Sequence, residues 1–391
     1  MPQTTTTSGQ YIHIPFCIAK CSYCDFYSVT DRSDTFDRLV AALQVELELR
    51  AAAGFSGLVD TVYIGGGTPS LLEPRQLGTL IDALDRAVGL EAVREFTVEA
   101  NPGEAPPDKL HGFRQLGMNR LSLGMQSFQP DLLRFLGRIH NPEDNLRTFE
   151  AARGAGFDNI SVDLIYNIPG QSIQTWTADL RTVIGLAPEH ISAYSLTVEK
   201  GTPLHQAVEQ GDLSMPGDDL DADMFAATRD ILGAAGYRPY ETSNFARPGR
   251  ECRHNLHYWR IEPYMGLGPS AHGFDGQRRY WNMADLDKYL DLVEAGAIPE
   301  AGSERLTPEQ RQNERLAFGL RLEEGLKIRS IQPDMTTEMF IERYSRQLRK
   351  WSHCLELSGG RLRTTANGAI LADAIAADFM TESAAAGQTD D

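Results

Sequence analysis

Between Gly9 and about Thr197 the sequence repeats one phrase: a short apolar, β-branched run, a polar or glycine-rich turn, then a stretch of helical periodicity. The runs are YIHI (11–14), TVYI (61–64), FTVE (96–99), RLSLG (120–124), ISVDLIY (160–166) and ISAYSL (191–196). Between them, Leu77, Leu80, Ile81, Leu84 and Val88 fall on one helical face, and Leu39, Val40, Leu43 and Leu47 on another. Strands joined by crossovers of this length pair in parallel through right-handed βα units, so the fold class is α/β. Six such units predict a partial, TIM-like (β/α)6 barrel, although a doubly wound open sheet satisfies the same periodicity. Either fold puts its ligands at the carboxyl ends of the strands. The unusual residues fall there: a cysteine-bearing loop after Ile14, GGGTP after Ile64, and Asn-Pro-Gly just beyond Glu99.

After about residue 215 the rhythm changes. A helix is expected near 218–235, an extended segment over YRPYETSNFA, and a loop over the glycine-rich YMGLGPSAHGF (264–274). Residues from about 307 to 375 read as a smaller, mostly helical module with a short hairpin at Gly359-Gly360, followed by a polar tail, ESAAAGQTDD, expected to fray. The expected divisions are therefore 1–215, 216–305 and 306–380, and a chain of 391 residues is long enough for one large core and a smaller one. With 37 Lys and Arg against 54 Asp and Glu, the formal charge of -17 argues against nucleic-acid partners and anionic membrane surfaces, which need a positive field. No apolar window approaches 18 residues, so no transmembrane segment is expected, and MPQTTTTSGQ lacks the basic start and apolar stretch of a signal peptide. Three of the five cysteines crowd into eight positions, which suits metal ligation in a reducing, cytoplasmic setting better than disulfides.

Cys17-x3-Cys21-x2-Cys24 supplies three soft thiolates in one short loop, a pattern suited to a [4Fe-4S] cluster. Three ligands on a four-iron cube leave one iron open. S-adenosylmethionine (SAM) can chelate that iron through its amino and carboxylate groups, and an electron from the reduced cluster would then release a 5′-deoxyadenosyl radical. Structural zinc competes, with His13 or Asp25 as a fourth ligand, but such sites more often use two ligand pairs set further apart. Pro15, Phe16 and Tyr23 would wall the cluster, Tyr23 serving equally well as a core residue. The Gly65-Gly66-Gly67-Thr68-Pro69 turn can bring backbone polar groups close to a ligand, and it lacks the Lys-Ser/Thr ending of a phosphate loop. Glu99, closing the third strand, could accept hydrogen bonds from ribose hydroxyls.

YIHIPFC followed by CSYC resembles the opening of radical SAM enzymes related to oxygen-independent coproporphyrinogen III oxidase, and the likeness covers nearly all of residues 9–375. The resemblance implies a radical SAM barrel with the cluster on Cys17, Cys21 and Cys24. It implies SAM contacts from Gly65, Gly66, Gly67, Thr68, Glu99, Gln126 (in LGMQSF), Arg138 (in LGRIHN) and Asp163 (in SVDLIYNIPGQ), with Tyr11 and Tyr23 completing the cofactor set. Arg138 would pair with the SAM carboxylate, while Gln126 and Asp163 would face the ribose.

Two departures separate this chain from the oxidase pattern. The oxidase carries a further cysteine two positions after the third, where Phe26 stands here, and a longer N-terminal extension, whereas ten residues precede Tyr11 here. In addition, His254-Asn255-Leu256-His257-Tyr258-Trp259 matches the HNxxYW motif of the related heme chaperones. That branch implies a protein that binds heme and passes it to apo-hemoproteins, respiratory proteins at the membrane among them, with an electron donor required if SAM is cleaved. His254 is the leading heme contact, with His257, Cys252 and His272 as further candidates and His140 as a structural or SAM-proximal residue. Arg253, Arg260, Arg278 and Arg279 could pair with heme propionates or remain solvated. A monomer or weak dimer is expected, and the alternative activity is the oxidase's own radical decarboxylation of coproporphyrinogen III.

Overall fold

The computed structural model describes residues 7–54 and 58–380, so most of the polar lead-in and the tail ESAAAGQTDD lie outside the described residues. Six parallel strands form its centre: β1 (Thr7–Ile14), β2 (Leu58–Gly66), β3 (Glu95–Ala100), β4 (Arg120–Gln126), β5 (Ile160–Tyr166) and β6 (His190–Ser195). They lie side by side in sequence order. A doubly wound sheet must reverse its order at a switch point, so this succession selects the barrel. The barrel does not close: the outer neighbour of β1 is β9 (Tyr264–Leu267), and that of β6 is β8 (Asn244–Ala246).

The strands alternate in character. Ile12, Ile14, Val62, Ile64, Phe96, Val98, Leu121, Leu123, Ile160, Val162 and Ile191 pack with helical residues such as Leu39, Leu43, Leu77 and Leu80 in one buried core. The alternate positions, Tyr11, Tyr63, Glu99, Ser122, Asp163 and Ser192 among them, line an internal cavity of about 690 Å³. Period-two patterning therefore gives the barrel an oily outside and a polar inside. Helices Pro74–Val88, Pro107–Gln115, Pro130–Phe135 and Pro142–Gly154 all begin on proline, whose missing N–H costs nothing in a first turn.

The helix expected near 218–235 spans Asp218–Ala234, and YRPYETSNFA folds into β7 (Arg238–Pro239) and β8, which pair with each other. The expectation of a loop over 264–274 is wrong: β9 pairs with β1 in parallel, and β10 (His272–Phe274) continues into β11 (Arg278–Asn282) and β12 (Glu300–Arg305). The glycines reflect close packing, not a lack of order. A Cβ on Gly266 would lie 1.9 Å from the carbonyl oxygen of His272, and one on Gly273 would lie 2.1 Å from the Tyr280 ring. Helix Phe36–Ala52 is tied to this extension through the buried Glu46, which accepts from Arg50, Asn282, Tyr289 and the Gly268 N–H.

Beyond Thr307 a second core gathers Leu316, Leu320, Ile328, Phe340, Tyr344, Leu362, Ile375 and Phe379 from short helices and a three-stranded sheet that includes the hairpin at Gly359-Gly360. Among the described residues no helix is long and apolar enough to cross a membrane.

Candidate functional site at the barrel mouth

The cysteine loop leaves β1 and is held by its backbone. Cys17 N–H donates to Val29 C=O at 3.0 Å, and Val29 N–H to Pro15 C=O at 2.7 Å. His13 anchors the loop from below, with Nε2 2.8 Å from the Tyr27 carbonyl and Nδ1 3.0 Å from the Tyr11 hydroxyl. Burial pushes this imidazole down to about 4, so it is neutral, and both of its nitrogens are committed. It is therefore not available as the fourth ligand that a zinc reading would need.

The thiols carry only light contacts. Thr68 Oγ1 lies 3.7 Å from Cys17 Sγ, and Arg138 Nη1 3.4 Å from Cys21 Sγ. Burial raises the Cys17 and Cys24 thiols. Among the described residues no three His, Cys, Asp or Glu side chains converge on a point suited to one metal ion. An iron–sulfur cube takes one thiolate per iron, so three separated thiols on one loop fit a cluster better than a lone ion. Tyr23 packs beside the loop against Leu132, Leu136, Ile165 and Leu196.

The glycine turn is built by close approach. Gly66 has φ +112°, and a Cβ there would lie 2.6 Å from the His13 ring; one on Gly67 would lie 2.6 Å from the Phe16 carbonyl oxygen. The N–H groups of Gly67 and Thr68 donate to Ile14 and Phe16, fastening the turn to the cysteine loop. Gly65 borders Glu99, whose carboxylate accepts from Tyr63 OH at 2.6 Å and from Gly66 N–H at 3.1 Å. Burial pushes the Glu99 carboxyl up to about 7, with those two donors pulling the other way.

Gln126 ends β4 in a left-handed conformation, φ +63°, after an irregularity in the pairing with β5. Such backbone strain in a non-glycine residue concentrates at functional sites. Arg138 donates to Asn101 Oδ1 at 2.7 Å and to the Gly124 carbonyl at 2.6 Å. Asp163 accepts from three serines: Ser122 at 3.0 Å, Ser161 at 3.2 Å and Ser192 at 2.6 Å. Of the residues expected to contact SAM, Tyr11, Tyr23, Gly66, Gly67, Thr68, Glu99, Gln126, Arg138 and Asp163 border one cavity together with Cys17, Cys21 and Cys24, and Gly65 does not. Sequence reasoning placed Asn101 at the strand ends without assigning it a role, although it also donates to Thr68 Oγ1 at 2.9 Å, and it missed the serines around Asp163. Their signal was a polar residue at every second position of a parallel strand.

The HNxxYW motif lies at the other end of the barrel. It forms the helix Arg253–Trp259, whose first N–H groups (Arg253 and His254) donate to Glu95 at the start of β3, 3.0 Å each. His254 is 1% exposed, with Nδ1 2.9 Å from Thr61 Oγ1, Nε2 2.8 Å from Tyr258 OH, and its ring stacked on Tyr63. Burial holds it well below the usual imidazole range. His254, the expected heme contact, borders the floor of the cavity with both ring nitrogens hydrogen-bonded in this conformation. Cys252 donates to Glu95 at 3.4 Å and is pushed up to about 12 by burial. His257 is held between Asp60 and Glu262. His140 contacts the Met125 carbonyl at 3.3 Å, and the exposed His272 stacks on Trp281. The expected arginine cluster is largely neutralised: Arg260, Arg278 and Arg279 pair with Glu324, Glu300 and Glu314, leaving Arg253 exposed.

A six-stranded open barrel carrying a three-cysteine loop at its mouth defines a radical SAM protein, and the Radical SAM superfamily model matches residues 11–183. Over 370 residues the chain is 38% identical to the heme chaperone HemW of Mycobacterium tuberculosis, covering 94% of this chain and 93% of that one. It is 33% identical over 400 residues to the mitochondrial radical S-adenosyl methionine domain-containing protein 1 of Danio rerio, covering 98% and 89%. The chain belongs to the HemW family of radical SAM heme chaperones. Coproporphyrinogen III oxidase (HemN) of Escherichia coli, a radical SAM enzyme, shares the fold, with a TM-score of 0.82 at 24% identity over 96% of this chain and 90% of that one.

Proposed function

We propose that this protein binds heme and passes it to apo-hemoproteins, carrying a [4Fe-4S] cluster on Cys17, Cys21 and Cys24 with SAM in the cavity beneath it. One observation carries the reading: kinship with a heme chaperone along 94% of the chain. When bound, the cluster and SAM supply one-electron chemistry.

The chain's own residues hold and orient. Arg138, beside Cys21, offsets thiolate charge in a partly buried loop, and its bonds to Asn101 and Gly124 fix it there. The N–H groups of Gly66, Gly67 and Thr68 are engaged, so what the turn has left for a ligand ammonium is acceptor oxygen, with the Glu99 carboxylate beside it. Glu99, fixed by Tyr63, and Asp163, fixed by three serines, present carboxylates to a ribose without rotating. Phe26, 63% exposed at the cavity's edge, stands where the oxidase pattern has a fourth cysteine. The expected setting is the cytoplasm, with respiratory apo-hemoproteins at the membrane among the acceptors.

The test is to reconstitute the cluster without oxygen, add hemin and SAM, and record the visible spectrum, 5′-deoxyadenosine, and heme transfer to apomyoglobin. Retention and transfer of heme are expected. Protein that neither retains heme nor delivers it defeats this reading, and protoporphyrinogen IX formed from coproporphyrinogen III would establish the oxidase in its place.

A further inference from the structure

We propose that the floor of the barrel cavity is a binding subsite for a carboxylate on an apolar stem, anchored by Arg120. Arg120 opens β4 and lies on the same inward face as Ser122, Gly124 and Gln126. It is 2% exposed and borders the cavity alongside His190, Asn244, Cys252 and Asn255. Its Nε is buried with no hydrogen-bond partner, and among the described residues no carboxylate forms an ion pair with its guanidinium.

Four other charged groups of the interior have direct partners. Glu95 takes the Cys252 thiol and two backbone N–H groups; Glu99 takes Tyr63 and Gly66; Asp163 takes three serines. Arg138 has Asn101, Gly124 and Cys21. The two histidines nearest Arg120 add no charge. His190 is bonded to Ser161 and Tyr240, and His254 to Thr61 and Tyr258; burial holds both neutral. The floor thus keeps one cation whose Nε has no acceptor; the Glu95 carboxylate acts on its charge from a distance but makes no bond to its fork of donors.

Burying a donor without an acceptor is costly, and buried polar groups in proteins are ordinarily bonded. A guanidinium matches a carboxylate through two parallel N–H···O bonds. The charge balance favours a monoanion over a phosphate, because Glu99 and Asp163 border the same volume and oppose a second negative charge. A volume of about 690 Å³ reaching from mouth to floor has room for a ligand below the cysteine loop. The carboxylate can come from a free organic acid or from a heme propionate. The subsite itself depends neither on the cluster nor on the heme-chaperone reading.

The experiment uses the full chain without cluster and compares sodium propionate with sodium chloride and propionamide at matched ionic strength, by thermal unfolding and calorimetry. A saturable rise in Tm with propionate alone is expected. Arg120→Met should weaken propionate binding on the order of tenfold to hundredfold, the range for a hydrogen bond to a charged group. Because it also removes the countercharge acting on the buried Glu95, its own Tm without propionate is the baseline from which its propionate shift is read. Arg120→Lys keeps the charge without the fork and should bind between the two; should Arg120→Met fail to fold, this variant and the propionamide control decide. No propionate-specific shift in the parent chain, or a shift that survives both substitutions, overturns the proposal and leaves cavity water as the partner of Arg120. Hemin against its dimethyl ester then separates the sources. Weakening by esterification in the parent but not in Arg120→Met assigns the heme propionate, and equal binding assigns a free acid.

Discussion

The mouth and the floor of this barrel are furnished with the same kinds of residue, cysteine and histidine among carboxylates and tyrosines, yet they are built to opposite ends. At the mouth the backbone is tied down while the sulfurs of Cys17 and Cys21 meet donors, Thr68 Oγ1 at 3.7 Å and Arg138 Nη1 at 3.4 Å, and no carboxylate holds their protons. At the floor every comparable side chain is engaged: Cys252 to Glu95, His254 to Thr61 and Tyr258, His257 to Asp60. Trp259 then carries the floor helix into the C-terminal module, its ring 5.8 Å from Phe318 and under the Arg321 guanidinium. Residue type alone does not make a site. A site needs a fixed frame with uncommitted atoms, and a plug needs the reverse.

The largest effect should come at the mouth. Cys21→Ser should abolish nearly all cluster iron and visible absorption after reconstitution, whereas Cys252→Ser should keep the parental iron content. Equal losses in the two variants would erase the distinction between the ends. Next comes the floor's anchor. Glu95→Ala strands the N–H groups of Arg253 and His254 in a buried place and should lower unfolding stability by about 2–4 kcal/mol in urea. A loss below about 0.5 kcal/mol, the scale of an ordinary surface change, would show that the plug does not depend on this contact.

His254→Ala sharpens the same comparison. It unpairs Thr61 and Tyr258 and should cost about 2–3 kcal/mol. Hemin bound per folded molecule, measured by absorbance after removing aggregate, should stay at the parental level. Full stability with lost heme would make His254 itself a heme contact.

The six strands were legible because their core-facing residues repeat every second position and pack beneath helices whose own apolar faces are readable. Glu99 and Asp163 were legible as acids in parallel strands, but their partners were not. Ser192 reaches Asp163 because register places the two side by side on β5 and β6, and Tyr63 reaches Glu99 across β2 and β3. Arg120 was hidden inside RLSLG, read as an apolar run although its alternate residues face inward. The strands β9 and β10 were misread because glycine records close approach there as well as turns. The end of the barrel occupied by HNxxYW was beyond local pattern, since the helix binds Glu95 from 159 residues away. The arginine cluster looked free because its acids, Glu300, Glu314 and Glu324, come later in the chain.

The smallest expected effect lies in the pH dependence of the plug. Burial opposes charge on His257, but the hydrogen bond to Asp60 and the adjoining Glu262 carboxylate outweigh it and push the imidazole up to about 9. Asp60 Oδ1 lies 2.8 Å from Nε2, and Glu262 Oε2 lies 2.8 Å from Nδ1. In the unfolded chain the same group titrates near its ordinary value of about 6.5. Between these values the folded state binds more protons than the unfolded one, so stability falls as pH rises. The contribution is complete below about 6.5 and lost once the pH passes about 9. His257→Gln, compared with the parent by urea unfolding across pH 6 to 10, should show its largest deficit at the acid end and a shrinking one toward the alkaline end. Other titrating groups are common to both chains and cancel in the difference. A deficit that stays constant or grows with pH would mean that shape, and not the imidazolium, holds the floor helix against β2.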